Sequence, residues 1–149
     1  MQLKALFLSL ALAGIALTTP SAAGICVLTL DTTGALGLSG DGHRLGSEET
    51  GGASGIVLIG SIGSSTVTVS APTLTQWPSG YNPAGLSLEV SYHGSGVISS
   101  VTQGYTTSQT NFNVPNLVNT VALTLENRAV TATGFASGTY KTRTVVTCS

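Results

Sequence analysis

Charge is scarce along this 149-residue chain, in which five Lys and Arg stand against six Asp and Glu. Nucleic-acid binding needs clustered cations to neutralise phosphates, whereas Arg44, Arg128, Lys141 and Arg143 are scattered. Nucleic acid is therefore excluded as a partner. Histidine is as sparse: His43 and His93 are the only two, and neither stands in a metal-ligand spacing with a second His or a Cys. No Gly-x-Ser-x-Gly elbow frames a serine nucleophile. The expectation is a protein that is not an enzyme, with no catalytic residue, no metal and no cofactor. Aromatic side chains are also few, one Trp, four Tyr and three Phe, so the core must be aliphatic. Helical periodicity is missing, because no window longer than a turn keeps it without a Gly, Pro or β-branched cluster.

What is present begins with a leader. Lys4 supplies a positive start, Ala5 through Leu17 an apolar run, and Pro20 with Ser21-Ala22-Ala23 a small-residue cleavage site. Residues 1–23 thus read as a signal peptide, and 24–149 as one domain that is secreted or held at the cell surface. A lipid-accepting cysteine needs a small residue before it, and Ile25 precedes Cys26. The apolar run is shorter than the roughly 20 residues that span a bilayer, so no membrane span is expected after cleavage. Loss of Lys4 leaves four basic against six acidic groups, a formal charge of −2. A surface of Ser, Thr, Asn and Gly suits an extracellular scaffold and gives little electrostatic protection against self-association.

Two cysteines remain, Cys26 and Cys148, one near each end of the mature chain. In an exported protein they are expected to form a disulfide.

Short alternating segments rich in β-branched residues fill most of the rest. They are Ile25–Leu30, Gly55–Ile59, Thr66–Ser70, Leu86–Tyr92, Val121–Leu125 and Tyr140–Thr147, with weaker candidates at Val97–Val101 and Ala129–Thr133. Turn formers separate them, the 31–55 segment has the least pattern, and 77–85 is a Pro/Gly-punctuated loop. Six to eight short antiparallel strands with one apolar face close best as an all-β sandwich. In the last segment Tyr140, Thr142, Thr144, Val146 and Cys148 share one face, and Lys141 and Arg143 mark the other as solvated. Cys26, Leu28 and Leu30 share a face of the first strand, so both cysteines are expected to point inward.

Gly138-Thr139-Tyr140 and the alternating Thr142–Thr147 stretch that follows resemble the Gly-x-Tyr and last-strand signature of small secreted pilin-like β-sandwiches, spore coat protein U-type and fimbrial subunits among them. The Cys-x-Leu-x-Leu stretch at Cys26–Leu30 is similar to the same pattern. The resemblance, carried by two short stretches, implies an immunoglobulin-like or pilin-like sandwich in surface fibres, adhesion or coat assembly, with other surface or fimbrial subunits as partners. One departure matters. Pilins that polymerise by strand donation carry an alternating apolar extension that completes a neighbour's groove, and here cleavage leaves only Gly24 and Ile25 before Cys26. The expectation is a subunit that ends a fibre or stands alone as a completed domain.

Two regions carry the remaining chemistry. Asp41 to Glu49 is the densest cluster of ionisable groups, but it lacks the spaced Asp/Asn ladder of a calcium loop and reads as a solvated loop. Trp77-Pro78-Ser79-Gly80-Tyr81 concentrates the only tryptophan and a tyrosine beside amide and hydroxyl groups. Trp77, Tyr81 and, at the end of a strand that lies near, Tyr92 are the ligand-binding candidates. The competing expectation for Trp77 is a plug that folds back over one end of an aromatic-poor core, and Tyr105, Phe112 and Phe135 are expected to pack. The function expected first is therefore a secreted, non-catalytic structural or adhesive subunit, fimbria-like. The alternative is a carbohydrate- or protein-binding module that uses the Trp77–Tyr81 loop.

Overall fold

A computed structural model describes residues 24–149; the expected leader, 1–23, lies outside the described residues. The described residues form twelve strands: β1 (Ile25–Thr32), β2 (Gly37–Leu38), β3 (Arg44–Gly46), β4 (Gly55–Ile62), β5 (Ser65–Val69), β6 (Thr73–Gln76), β7 (Ser87–Gly94), β8 (Thr102–Thr106), β9 (Thr110–Val114), β10 (Val121–Val130), β11 (Lys141–Arg143) and β12 (Val146–Cys148). Eight of them have four residues or more, so the longer strands match the number expected. All pairings are antiparallel, and the fold is an all-β sandwich.

The larger layer is organised by β10. Along one edge it pairs with β7, which carries β8 beyond it; along the other it pairs first with β4 and then with β3. β1 completes one side by pairing with β4, and β2 pairs with β3. The facing layer places β5 between β9 and β12, and β6 pairs with β11 further along. The partner strands β5 and β6 are separated by Ser70-Ala71-Pro72. Proline has no N–H to give to a ladder, so the expected Tyr140–Thr147 strand is divided at Thr144-Val145. Ser70 bridges the gap: its N–H donates to the Val145 carbonyl, and its Oγ accepts from the Val145 N–H, each at 2.8 Å.

Alternation decides which side chains meet between the layers. From the larger layer come Ile59, Val90, Tyr92, Val121, Leu123 and Leu125, and from the smaller Val67, Val69 and Val114, all buried. Phe112 packs against this core as expected.

Two weaker strand expectations are corrected. Gly96–Ile98 forms a single 3-10 turn, because i to i+3 bonds run from the Ile98 N–H to the Ser95 carbonyl and from the Ser99 N–H to the Gly96 carbonyl. The turn buries Ile98 and leaves Val97 exposed. Gly94 is required beneath it, since a Cβ there would lie 2.3 Å from the Ile98 carbonyl oxygen. In the 129–133 candidate the strand stops at Val130; the Thr131 hydroxyl then accepts from the Thr133 N–H at 3.3 Å and turns the chain. The weakly patterned 31–55 segment contains β2 and β3, anchored where Arg44, Leu45 and Gly46 pair with Val130, Ala129 and Arg128.

The disulfide forms between Cys26 and Cys148, with Cα atoms 6.0 Å apart and a sequence separation of 122. It joins β1 of one layer to β12 of the other, so it is a link across the sandwich rather than along a sheet. Cross-linking so long a loop restricts the unfolded chain and is worth about 4 to 5 kcal/mol in the chain-entropy account. Reduction is expected to cost about that amount, read as a lower urea midpoint with and without reductant. A loss under about 1 kcal/mol would show that packing alone holds the layers.

Candidate functional site

The three aromatic candidates do not come together. Trp77 follows β6 and is 44 % exposed, so it does not plug the core. Tyr92 faces inward from β7 and is 4 % exposed; its hydroxyl shares a 2.8 Å hydrogen bond with Thr110, and Phe112 lies 5.6 Å away between ring centroids. It is a core residue, and its burial removes it from any ligand surface. Only Tyr81 belongs to a concave surface, where Ser79, Gly80 and Asn82 of its own loop meet residues 41–43 and 133–136, which are distant from it in sequence.

Three loops make that surface. The turn at 39–43 is held by Asp41, whose Oδ1 accepts from the Ser39 hydroxyl at 2.6 Å and from the His43 N–H at 3.0 Å. The Ser39 bond first, then the His43 N–H, keep the Asp41 carboxyl below the usual carboxylate range. The loop after β10 is tied to this turn by the Phe135 N–H, which donates to the Gly42 carbonyl at 3.0 Å. The loop after β6 is seated by Gly138, whose φ of +146° suits glycine and whose missing Cβ leaves room for Pro78, 2.4 Å from where that atom would stand. The expected Gly138-Thr139-Tyr140 motif is thus a loop junction. Tyr81 and Phe135 are near-parallel at 17° with centroids 6.0 Å apart, and Tyr140 meets both edge-on at 5.2 and 5.1 Å. The Tyr140 hydroxyl donates to the Ala136 carbonyl at 3.0 Å. The result is an open depression of about 740 Å³.

A second concavity, a cleft of about 710 Å³, lies between the layers beyond the disulfide. There the end of β1 and the start of β11 separate, and among the described residues neither strand pairs on its second edge. Val57, Leu125 and Val146 line the cleft with Leu30, Leu36 and Ile56. Leu30 shares the inward face of Cys26 and Leu28 yet is 63 % exposed, because the smaller layer does not reach over it. Among the described residues, Lys141 and Arg143 are the only charged side chains lining this space.

The dense acidic stretch contributes elsewhere, on the outer face of the larger layer. Arg128 pairs with Glu89, lies 4.0 Å from Glu48 and stands 3.7 Å over the Tyr105 ring. The Tyr105 hydroxyl donates to Glu48 at 2.7 Å, and Glu126 accepts from Ser91 at 3.2 Å and Ser54 at 3.3 Å. Arg44 pairs with Glu49. This is a mutually satisfied network, and among the described residues no group of three or more His, Cys, Asp or Glu is placed to hold a metal. His43 uses Nδ1 on the Thr131 carbonyl at 3.1 Å, and His93 is exposed on β7. No helix of the described residues is long and apolar enough to cross a membrane.

Burial, and then the Glu48 carboxylate, push the Tyr105 phenol above its ordinary value of 10.0. The folded state therefore holds this proton more tightly than the unfolded chain. Its contribution to stability is complete below the unfolded value and is lost as pH rises through the folded one. Unfolding free energy is expected to stay level up to about pH 10 and to fall above it, and Tyr105→Phe is expected to remove part of that fall. Denaturant titrations across this range check it, and equal alkaline slopes in both proteins would contradict it. No protein-family model matches this chain, and comparison with curated proteins and with solved structures finds no match.

Proposed function

We propose that this chain is a secreted, non-catalytic structural or adhesive subunit of the cell surface, fimbria-like, which receives an extended segment of a neighbouring subunit in the cleft between β1 and β11. The observation that carries this reading is Leu30, an inward-facing aliphatic residue left uncovered between two strand edges with free hydrogen-bonding groups. Such edges are templates for pairing with another chain. An added strand satisfies them and covers Leu30 and Val57 with its alternate side chains. Lys141 and Arg143 at the rim favour a segment that carries carboxylates. The low charge of the surface supports assembly for the same reason that it weakens repulsion.

A photoreactive side chain placed at Leu30 in the exported protein tests this on intact cells. The expected product is a crosslink to a segment of another surface protein, diminished when Lys141 and Arg143 are both reversed to Glu. The same group at Val27, on the outer face of β1, serves as the control. Equal coupling from Leu30 and Val27, or coupling from neither, overturns the reading.

A further inference from the structure

The depression bounded by Tyr81 and Phe135 is separate from the cleft and has a chemistry of its own. Its aromatic side is fixed: the Tyr140 ring braces both rings from the edge, and Gly138 against Pro78 sets the loop that carries Tyr81. Its polar side is held by bonds that leave one function of each group free. Asp41 gives Oδ1 to Ser39 and His43 and keeps Oδ2. With Nδ1 on the Thr131 carbonyl, His43 presents Nε2, an acceptor in the neutral ring. Asn82 accepts the Ala84 N–H at 3.0 Å through Oδ1 and keeps its two Nδ2 donors. The Ser79 hydroxyl lines the same space.

This combination narrows the ligand class. Among the described residues no Lys or Arg lines the depression, and the one charged side chain there is a carboxylate, so phosphate, sulfate and acidic sugars are disfavoured. A wholly apolar ligand would leave the polar groups unpaired. One carboxylate and one imidazole fall short of a cation cage. A pyranose has what both sides ask for: a face of C–H groups for an aromatic ring, and hydroxyls that each donate and accept.

We infer that the depression between the Asp41–His43 turn and the Tyr81–Phe135 pair is a binding site for a neutral saccharide. The sugar lies with its C–H face on the aromatic pair, and its hydroxyls donate to Asp41 and His43 and accept from Asn82. Trp77 is outside the site.

Saturation-transfer NMR on the disulfide-bonded mature chain tests this with methyl β-galactopyranoside, methyl β-glucopyranoside and methyl α-mannopyranoside as probes. The expected result is transfer to at least one probe, strongest on the hydrogens of one ring face. Asp41→Asn retains the Oδ1 acceptor that holds the turn and is expected to weaken binding by about tenfold. Tyr81→Ala is expected to abolish transfer, and Trp77→Ala to leave it within about twofold of the parent. If Tyr81→Ala does not fold, Asp41→Asn decides alone. Absence of transfer from all three sugars overturns the inference, as does transfer that Asp41→Asn leaves unchanged or that disappears in Trp77→Ala.

Discussion

The sandwich rests on β10, the strand through which most of the larger layer is hydrogen-bonded and whose alternate residues enter the core. Val121, Leu123 and Leu125 face the smaller layer while Thr124, Glu126 and Arg128 point outward. A one-residue slip would exchange these sets, placing a carboxylate and a guanidinium against Val67 and Val69. Pairing with β4, β3 and β7 therefore has only one register that keeps the core dry. The remaining strands take their positions from it.

That same alternation divides the molecule into surfaces of different character. Most of the ionised side chains gather on the outside of the larger layer, where Arg128 stands among Glu48, Glu89 and Tyr105. Among the described residues the cleft between the layers keeps only two cations at its rim, and the loop end gathers aromatics with a single carboxylate. The cleft lies where the smaller layer fails to cover what β-sheet geometry points inward, and the depression lies where three loops meet.

Much of the fold was legible because period-two alternation is a strong local signal. It located the six main segments and the inward face of both cysteines, and with the expected export it implied their bond. It failed where structure came from other causes. β2 and β3 are too short to alternate and exist because Arg44-Leu45-Gly46 finds the end of β10. The 97–101 segment alternated but followed Gly96, whose φ of +59° begins a turn. β8 and β9 were hidden by Thr, Asn, Gln and Gly, residues that read as loop. The sites were less visible still. Tyr81 was legible as a loop aromatic, but Phe135 and Tyr140 reach it through long-range docking of Phe135 on Gly42 and Gly138 on Pro78. Tyr92 and Trp77 show how poorly residue type alone separates a buried ring from an exposed one. The open edge beside Leu30 required knowing how far the smaller layer extends.

The position of the crosslink also bears on resistance to proteolysis. Since sulfur joins positions 26 and 148, every described loop lies within one covalent circle. A protease that clips the protruding turn at Val118, which is 94 % exposed, converts the circle to a single opened ring and releases no fragment. The nicked protein keeps its mass apart from one added water, and its two pieces come apart only after the sulfur bridge is reduced.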